Sequence, residues 1–122
     1  MGSEIPVFDK NDDMAEIKAA LDKAGCAVIR HIQTEANVDQ VKSELHEYMS
    51  QVPLATEDSP EEFYPANTRR LPAILARSPG SHAMALDNSI AQLCWHHLGS
   101  NCERYHLHVS AALEIGPGAR EQ

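Results

Sequence analysis

The chain has 122 residues and a mass of 13.4 kDa, which suits a single domain over residues 1–122 or an N-terminal fragment of one. Ten basic residues against eighteen acidic ones give a net charge of −8, so the chain lacks the basic surface with which general nucleic-acid-binding proteins neutralise phosphates. No apolar stretch approaches the roughly 18–20 residues of a membrane-spanning helix, and the first residues lack the basic and apolar regions of a secretory signal. We therefore expect a cytoplasmic protein that binds neither nucleic acid nor a membrane.

The negative charge is concentrated in the first half of the chain. Residues 1–62 hold fourteen acidic and five basic side chains, whereas residues 63–122 hold four and five, so the two halves carry −9 and +1. The acids form no long block of like charge, and we interpret them as solvated helix faces rather than as an interaction tail. Three cysteines at irregular spacing indicate reduced thiols and not a disulfide framework.

The start of the chain predicts a helix followed by a strand. Residues 12–24 have apolar side chains at helical spacing, Asp13 and Glu16 form a capping-box pattern, and Gly25 is a natural helix end. The β-favouring run 26–32 then predicts a short buried strand.

A second helix, a loop and a helical turn are predicted next. Thr34 is the expected N-cap of an amphipathic helix whose last apolar position is Val52. Residues 53–65 contain three prolines and predict a surface loop, a kind of segment that often carries function. Residues 69–77 predict a short helical turn that Pro72 interrupts.

The end of the chain predicts a third helix and a final strand. The helix runs from Asp87 to Leu98 and ends at Gly99, and the strand covers residues 105–115. The strand meets residues 116–118, a Gly-Pro-Gly sequence that fits a type II turn. Because an unpaired strand edge is an aggregation hazard, we expect another chain, or the rest of a longer protein, to cover it.

Two groups of side chains invite a metal-site hypothesis. His106 and His108 alternate along the predicted final strand and would share one face of it, but the favoured interpretation is a pair of histidines on a half-buried sheet. The second group has the spacing C-x-H-H-x4-C, which resembles a zinc site only superficially because true zinc signatures use two short spacings separated by a longer loop. Its members are Cys94, His96, His97 and Cys102.

The only concentration of basic residues in the sequence follows the proline-bearing loop. Arg69, Arg70 and Arg77 could clamp a carboxylate or a phosphate, or they could form salt bridges with the acidic first half. Tyr64 and Asn67 belong to the same region and could line a pocket, although loop aromatics often simply cover apolar surface.

Three segments, in their order and at their separations, resemble the phytanoyl-CoA dioxygenase-like family. They are Gly25-Cys-Ala-Val-Ile-Arg-His31, Asn67-Thr-Arg-Arg-Leu-Pro-Ala-Ile-Leu-Ala-Arg-Ser-Pro79 and Leu113-Glu-Ile-Gly-Pro-Gly-Ala-Arg-Glu-Gln122. The likeness is greatest to the fungal branch of that family, which oxidises alkaloids and terpenoids with Fe(II) and 2-oxoglutarate. It spans nearly the whole chain, and the last segment is its most specific part.

The resemblance implies an α+β chain that contributes the N-terminal helices and first strands of a double-stranded β-helix (jelly-roll) dioxygenase, with an incomplete barrel. It implies that Gln122 helps to bind 2-oxoglutarate and that Tyr64, Asn67 and Thr68 line the substrate site. The family holds iron with a His-x-Asp pair and a distant His, and these ligands have no counterpart in residues 1–122. We therefore expect this chain alone to have no catalytic residues, no bound metal and no turnover.

Three hypotheses for function follow from these patterns. The first is the N-terminal part, or a truncated form, of an Fe(II)/2-oxoglutarate-dependent dioxygenase that oxidises a small hydrophobic natural product. The second is a non-catalytic interaction module that pairs through its acidic helices and exposed final strand, with a second copy as one candidate partner. The third is a small zinc protein built on Cys94, His96 and Cys102.

Overall fold

The structure of the protein is a computed structural model that describes residues 4–58 and 65–120. Within these residues the chain forms five helices and four short strands, and the strands pair into two small sheets. The strands are Val7–Asp9 (β1), Val28–Arg30 (β2), Thr68–Pro72 (β3) and Ala111–Ile115 (β4). The helices are Met14–Ala24 (α1), Glu35–Gln51 (α2), Ile74–Arg77 (α3), Gly80–Ala85 (α4) and Asn88–Leu98 (α5). The predicted mixture of helices and strands is confirmed.

Helix α1 ends at the predicted residue and begins at Met14, directly after the predicted capping residue Asp13. The Asp13 carboxylate accepts a hydrogen bond of 2.9 Å from the backbone N–H of Ala15, which satisfies one of the free donors at the helix start. At the other end Gly25 has a φ of +75°, a conformation that glycine adopts without a steric penalty, and its N–H donates to the Leu21 carbonyl. The predicted helix over residues 12–24 is therefore confirmed.

Helices α2 and α5 also follow their capping residues. Thr34 Oγ1 accepts the N–H of Asn37 at 3.1 Å, and the Asp87 carboxylate accepts the N–H of Ser89 at 2.8 Å. Gly99 follows the last residue of α5, as predicted. No helix in the described part of the chain is long and apolar enough to cross a membrane.

The strand predicted over residues 26–32 is shorter and more exposed than expected. Of that range, residues 28–30 form β2, and Val28 keeps 44% of its surface exposed, so the prediction of a buried strand is wrong. The partner of β2 is β1, which runs parallel to it with Val7 opposite Val28. Among the described residues this sheet has two strands, and a sheet of that size leaves much of its surface uncovered.

The helical turn predicted over residues 69–77 is wrong in its first half. Thr68–Pro72 forms β3, which pairs antiparallel with β4, and Arg69 lies opposite Glu114. Local sequence cannot show this pairing because the partner strand lies about forty residues further along the chain. The helical part begins only at Ile74, after Ala73 takes a positive φ of 59°. Helix α4 has no counterpart among the predicted elements.

The final strand covers only the second half of its predicted range. Because β4 begins at Ala111, His106 and His108 lie in an irregular and exposed segment before it, and their placement on one strand face is wrong. The turn after β4 is confirmed. Gly118 has the φ of +80° that the third residue of a type II turn requires, and the N–H of Ala119 donates to the Gly116 carbonyl at 3.2 Å.

The chain divides into two compact units, each with its own buried residues. Unit 1 comprises the described residues up to Asn37 together with Ala83–His106, and it buries Ile17 to 1% exposure. Unit 2 comprises the described residues of Val38–His82 and those from Leu107 onward. The buried residues of unit 2 include Val41, Leu45, Thr68, Leu71, Ser78 and Ser81.

Candidate functional site

Asn67 and Thr68, two of the predicted substrate-lining residues, lie at the start of β3. Thr68 is only 6% exposed, and its hydroxyl donates a 2.7 Å hydrogen bond to the Pro65 carbonyl. Asn67 has a φ of +65°, and its carbonyl accepts the N–H of Gly116 at 2.8 Å. These contacts fix the end of the β3–β4 pair, and a role in substrate binding stays a prediction. Tyr64 and Gln122 lie outside the described residues.

Two of the clustered arginines are already engaged within unit 2. The guanidinium of Arg69 lies 2.5 Å from the carboxylate of Glu114, and its Nε donates to the Val52 carbonyl at 3.0 Å. Arg77 donates to a backbone carbonyl and lies 5.1 Å from the centre of the Tyr48 ring. The acid that pairs with Arg69 thus comes from the second half of the chain and not from the acidic first half.

A cavity of about 200 Å³ lies beside the Arg69–Glu114 pair. It is smaller than the roughly 300–1,000 Å³ of typical ligand pockets. Its lining residues are His46, Met49, Ser50, Arg69 and Glu114. Neither Asn67 nor Thr68 is among them, so the two predicted substrate residues and this cavity are separate features of unit 2.

A polar cluster, the Glu44 cluster, lies where α2 meets the start of α4. The Glu44 Oε2 atom accepts hydrogen bonds from the hydroxyl of Ser78 at 2.6 Å and from the backbone N–H of Gly80 at 2.9 Å. Gln40 donates to the other oxygen at 2.8 Å, and the N–H of Ser81 donates to Ser78 Oγ at 3.2 Å. Ser78 and Ser81 are almost fully buried.

These hydrogen bonds favour the charged form of Glu44. The Ser78 hydroxyl has the largest effect, followed by Gln40 and the Gly80 N–H, and together they hold the pKa of the carboxyl below its ordinary value of 4.5. Every buried polar side chain of the cluster has a partner within the protein. The Glu44 cluster therefore serves as a cap that fastens the start of α4.

Unit 1 contains a second polar group, the histidine cluster, formed by Asp22, His96 and His97. The Nε2 atom of His96 lies 2.9 Å and 3.0 Å from the two carboxylate oxygens of Asp22. The Nδ1 atom of His97 lies 4.0 Å from Asp22 Oδ1, and the two imidazole rings meet edge to face with their centres 4.9 Å apart. All three residues are exposed.

The histidine cluster is the one group of three potential metal ligands among the described residues, with ligand atoms within 4.8 Å of one another. It differs from the predicted zinc group, because neither Cys94 nor Cys102 belongs to it. The Cys102 thiol instead contacts the Leu98 carbonyl at 3.2 Å. The sequence shows the His-His pair but not its third member, since Asp22 lies on another helix, 74 residues from His96.

A single histidine–aspartate pair lies elsewhere in unit 1. His31 Nδ1 is 2.5 Å from Asp9 Oδ2, with 74% of the His31 side chain exposed. The hydrogen bond from His31 is the main reason that the pKa of Asp9 lies below its ordinary value. Within the described residues this pair belongs to no group of three ligands, which makes it a natural comparison for the histidine cluster.

The described residues do not fit the iron centre that the family resemblance implies. That centre takes a His-x-Asp pair and a distant His, and residues 1–122 contain no His-x-Asp sequence. The histidine cluster has two histidines and one carboxylate, but they lie on α1 and α5 and the histidines are adjacent in sequence. The histidine cluster therefore differs from the iron centre that the family resemblance implies.

No model of a known protein family matches the chain, and no curated protein matches its sequence.

Proposed function

We propose that this chain is the N-terminal part of an Fe(II)/2-oxoglutarate-dependent dioxygenase that oxidises a small hydrophobic natural product. The supporting observation is the pairing of β3 with β4. Two of the three segments that resemble the phytanoyl-CoA dioxygenase-like family, residues 67–79 and 113–122, contribute to these two strands. Segments that are distant in sequence thus meet in one antiparallel ladder, the element from which a jelly roll is built.

The exposed surface of β4 supports the same proposal. Leu113 and Ile115 are 60% and 70% exposed, and Leu107 and Val109, in the irregular segment before the strand, are also more than half exposed. Among the described residues β4 pairs with β3 alone, so its second edge is open. In the proposed enzyme a further strand of the barrel pairs with this edge, and the apolar face becomes part of the barrel interior.

The proposed roles of individual residues follow the family resemblance. Gln122 contacts 2-oxoglutarate, and Tyr64, Asn67 and Thr68 form one wall of the substrate site. The iron ligands would come from protein outside residues 1–122, and the iron, once bound, would supply the oxygen activation. The 122-residue chain by itself then contributes binding surface and no turnover.

The first test is to read the coding sequence beyond Gln122 and to produce the chain with its continuation. We expect a His-x-Asp sequence shortly after Gln122. We also expect the extended protein to bind Fe(II) with 2-oxoglutarate, seen as a charge-transfer absorption band under anaerobic conditions, and to form succinate. A stop codon directly after Gln122, or an extended protein that gives no band, contradicts the proposal.

A pair of variants tests the role of β4 directly. In the 122-residue chain Leu113→Asp should change thermal stability little, because the side chain is already 60% exposed. In the extended protein the same change should destabilise strongly, since it places a charge in the barrel interior. Leu86→Asp is the matched control, because Leu86 is 81% exposed and should tolerate the change in both proteins. Equal effects of Leu113→Asp in both proteins would count against the proposal.

A non-catalytic interaction module is the second candidate, and the same open edge of β4 favours it. An exposed strand with an apolar face is a template on which a partner strand can form main-chain hydrogen bonds. Light scattering after size-exclusion chromatography should then show a dimer of the 122-residue chain that Leu113→Asp dissociates. A monomer across the concentration range argues against pairing between two copies.

A further inference from the structure

We propose that Asp22, His96 and His97 form a binding site for a borderline divalent transition-metal ion of the Zn²⁺ class. Imidazole nitrogen and carboxylate oxygen are ligands that Zn²⁺ accepts readily, and Ni²⁺ and Cu²⁺ share the preference for imidazole. Mg²⁺ and Ca²⁺ prefer sites made of oxygen alone. A site with two imidazoles therefore selects the first class of ion over the second.

The two histidines reach one point by using different ring nitrogens. Adjacent residues on a helix do not face one another, and the sequence spacing alone argues against a shared site. In the structure His96 approaches Asp22 with Nε2, the far nitrogen of its ring, whereas His97 approaches with Nδ1, the near nitrogen. The two side chains leave the helix in different directions, and the use of the far nitrogen by one and the near nitrogen by the other lets both approach Asp22.

The distances within the histidine cluster suit a metal ion after small side-chain movements. In a tetrahedral zinc site with bonds of about 2.0–2.1 Å, neighbouring ligand atoms lie about 3.3 Å apart. The Oδ1 atom of Asp22 lies 3.0 Å from Nε2 of His96 and 4.0 Å from Nδ1 of His97. These values lie on either side of the ideal, so rotation about side-chain bonds can bring all three into place.

The positions of the three residues on their helices also favour a cation. Asp22 lies in the last turn of α1, and His96 and His97 lie in the last turn of α5. The C-terminal end of a helix carries partial negative charge, so a carboxylate there is unfavourable unless a positive charge is close. A bound metal ion supplies that charge at the ends of both helices at once.

The site is open to solvent, which defines its chemical character. The side chains of His96, His97 and Asp22 are 31%, 45% and 51% exposed. Three protein ligands leave a fourth position of a tetrahedral ion for water or for a group from another molecule. The ion would link α1 to α5 within unit 1 and so add to the stability of that unit.

The binding test uses protein without a histidine tag and titrates it with Zn²⁺, Ni²⁺ and Mg²⁺ in separate experiments. Calorimetry should show one Zn²⁺ bound per chain and no binding of Mg²⁺. Ni²⁺ should quench the emission of Trp95, which is the only tryptophan of the chain and precedes His96 directly. Absence of Zn²⁺ binding at micromolar concentrations overturns the proposal.

Substitutions then locate the site. Asp22→Asn and His97→Ala should each weaken Zn²⁺ binding by tenfold or more, because loss of a group outside the coordination sphere already weakens binding by about 10–100-fold. His31→Ala is the matched control, since it removes a histidine that also pairs with an aspartate, and it should leave binding unchanged. If His31→Ala weakens Zn²⁺ binding as much as Asp22→Asn and His97→Ala do, the proposal is contradicted. A different outcome would assign the metal to the cysteines and overturn the proposal. In that outcome Asp22→Asn and His97→Ala still bind Zn²⁺, whereas Cys94→Ser or Cys102→Ser does not.

A stability measurement tests the proposed link between the helices. Saturating Zn²⁺ should raise the thermal midpoint of the wild-type chain, and the rise should disappear in His97→Ala but persist in His31→Ala. A rise of the same size in all three proteins would mean that the ion acts elsewhere, which contradicts a link between α1 and α5.

Discussion

The two units of this protein each contain a cluster of polar side chains around one carboxylate, and the two clusters are built in opposite ways. In unit 2 Glu44 accepts hydrogen bonds from Ser78, Gly80 and Gln40, and Ser78 is fully buried. In unit 1 Asp22 contacts His96 and His97 at an exposed surface. In the first arrangement the polar groups are satisfied by one another, whereas the second presents donor atoms to solvent.

Burial and hydrogen-bond satisfaction together separate a structural cluster from a binding site. Buried polar groups are expensive to leave without partners, so a cluster that supports the fold has each group satisfied within the protein. An exposed ion pair contributes little to stability because water screens it and the side chains lose entropy. We therefore expect the Glu44 cluster to respond to substitution through stability, and the histidine cluster to respond through binding.

Gly80→Ala should give the largest effect on stability. A Cβ atom at Gly80 would lie 3.1 Å from side-chain atoms of Gln40, Val41 and Glu44, which is closer than these atoms normally approach. Overpacking of this kind destabilises by about 1–3 kcal/mol unless the three side chains move aside by a few tenths of an ångström, and urea denaturation would measure it. Ala83→Ser is a suitable control of similar size change on the same helix. A Gly80→Ala protein as stable as wild type would show that the helix start is loosely packed.

Ser78→Ala should follow, with a loss of about 1–2 kcal/mol in the free energy of unfolding. The change removes the hydroxyl that donates to Glu44 at 2.6 Å and accepts from Ser81 at 3.2 Å, and it leaves those groups without that partner. Ser43→Ala, on the exposed face of α2, is the matched control and should be close to neutral. If Ser78→Ala and Ser43→Ala are equally stable, the Glu44 cluster does not support the fold.

The ends of α1, α2 and α5 were predictable from sequence because their signals are local. Asp13, Thr34 and Asp87 cap residues that lie two or three positions away. The β3 strand was not predictable, because its partner β4 is distant in sequence and the Pro72 signal alone favours a break in a helix. Tertiary pairing decided the conformation of that segment.

Neither of the two polar clusters could be predicted from the sequence, and the physical cause is the same for both. Glu44 and Ser78 are 34 residues apart, and neither belongs to a recognisable motif. The spacing of His96 and His97 next to two cysteines predicted a different ligand set, since local spacing cannot show that the packing of α1 against α5 brings Asp22 to the histidines. A single sequence reveals caps and turns well, and it reveals long-range side-chain contacts poorly.

A pH titration of stability separates the charge of the Glu44 cluster from its packing. The pKa of Glu44 lies below its ordinary value of 4.5 in the folded protein, chiefly because of the Ser78 hydrogen bond. Its carboxylate therefore stabilises the fold above that ordinary value, and the contribution is lost as the pH falls through the lower folded pKa. The stability difference between wild type and Glu44→Gln should be constant near pH 7 and should shrink under acid conditions.

The same titration on Ser78→Ala provides the control. Because the Ser78 hydroxyl is the main cause of the lowered pKa, its removal should bring the pKa of Glu44 in the folded protein closer to its ordinary value. The Ser78→Ala protein should therefore lose less stability than wild type on acidification. A difference between wild type and Glu44→Gln that grows as the pH falls would have the wrong sign and would contradict the assignment.

Asp22→Asn should have the smallest effect on stability when metal ions are removed with a chelator. The pair with His96 is exposed, and pairs of this kind contribute about 0–1 kcal/mol to the free energy of unfolding. The free energy of unfolding of the metal-free Asp22→Asn protein should therefore be close to that of wild type and well above that of Ser78→Ala. If the metal-free Asp22→Asn protein is instead less stable than Ser78→Ala, the histidine cluster supports the fold in the way that the Glu44 cluster does. The contrast between a structural cluster and a binding cluster then fails, because exposure would no longer distinguish the two.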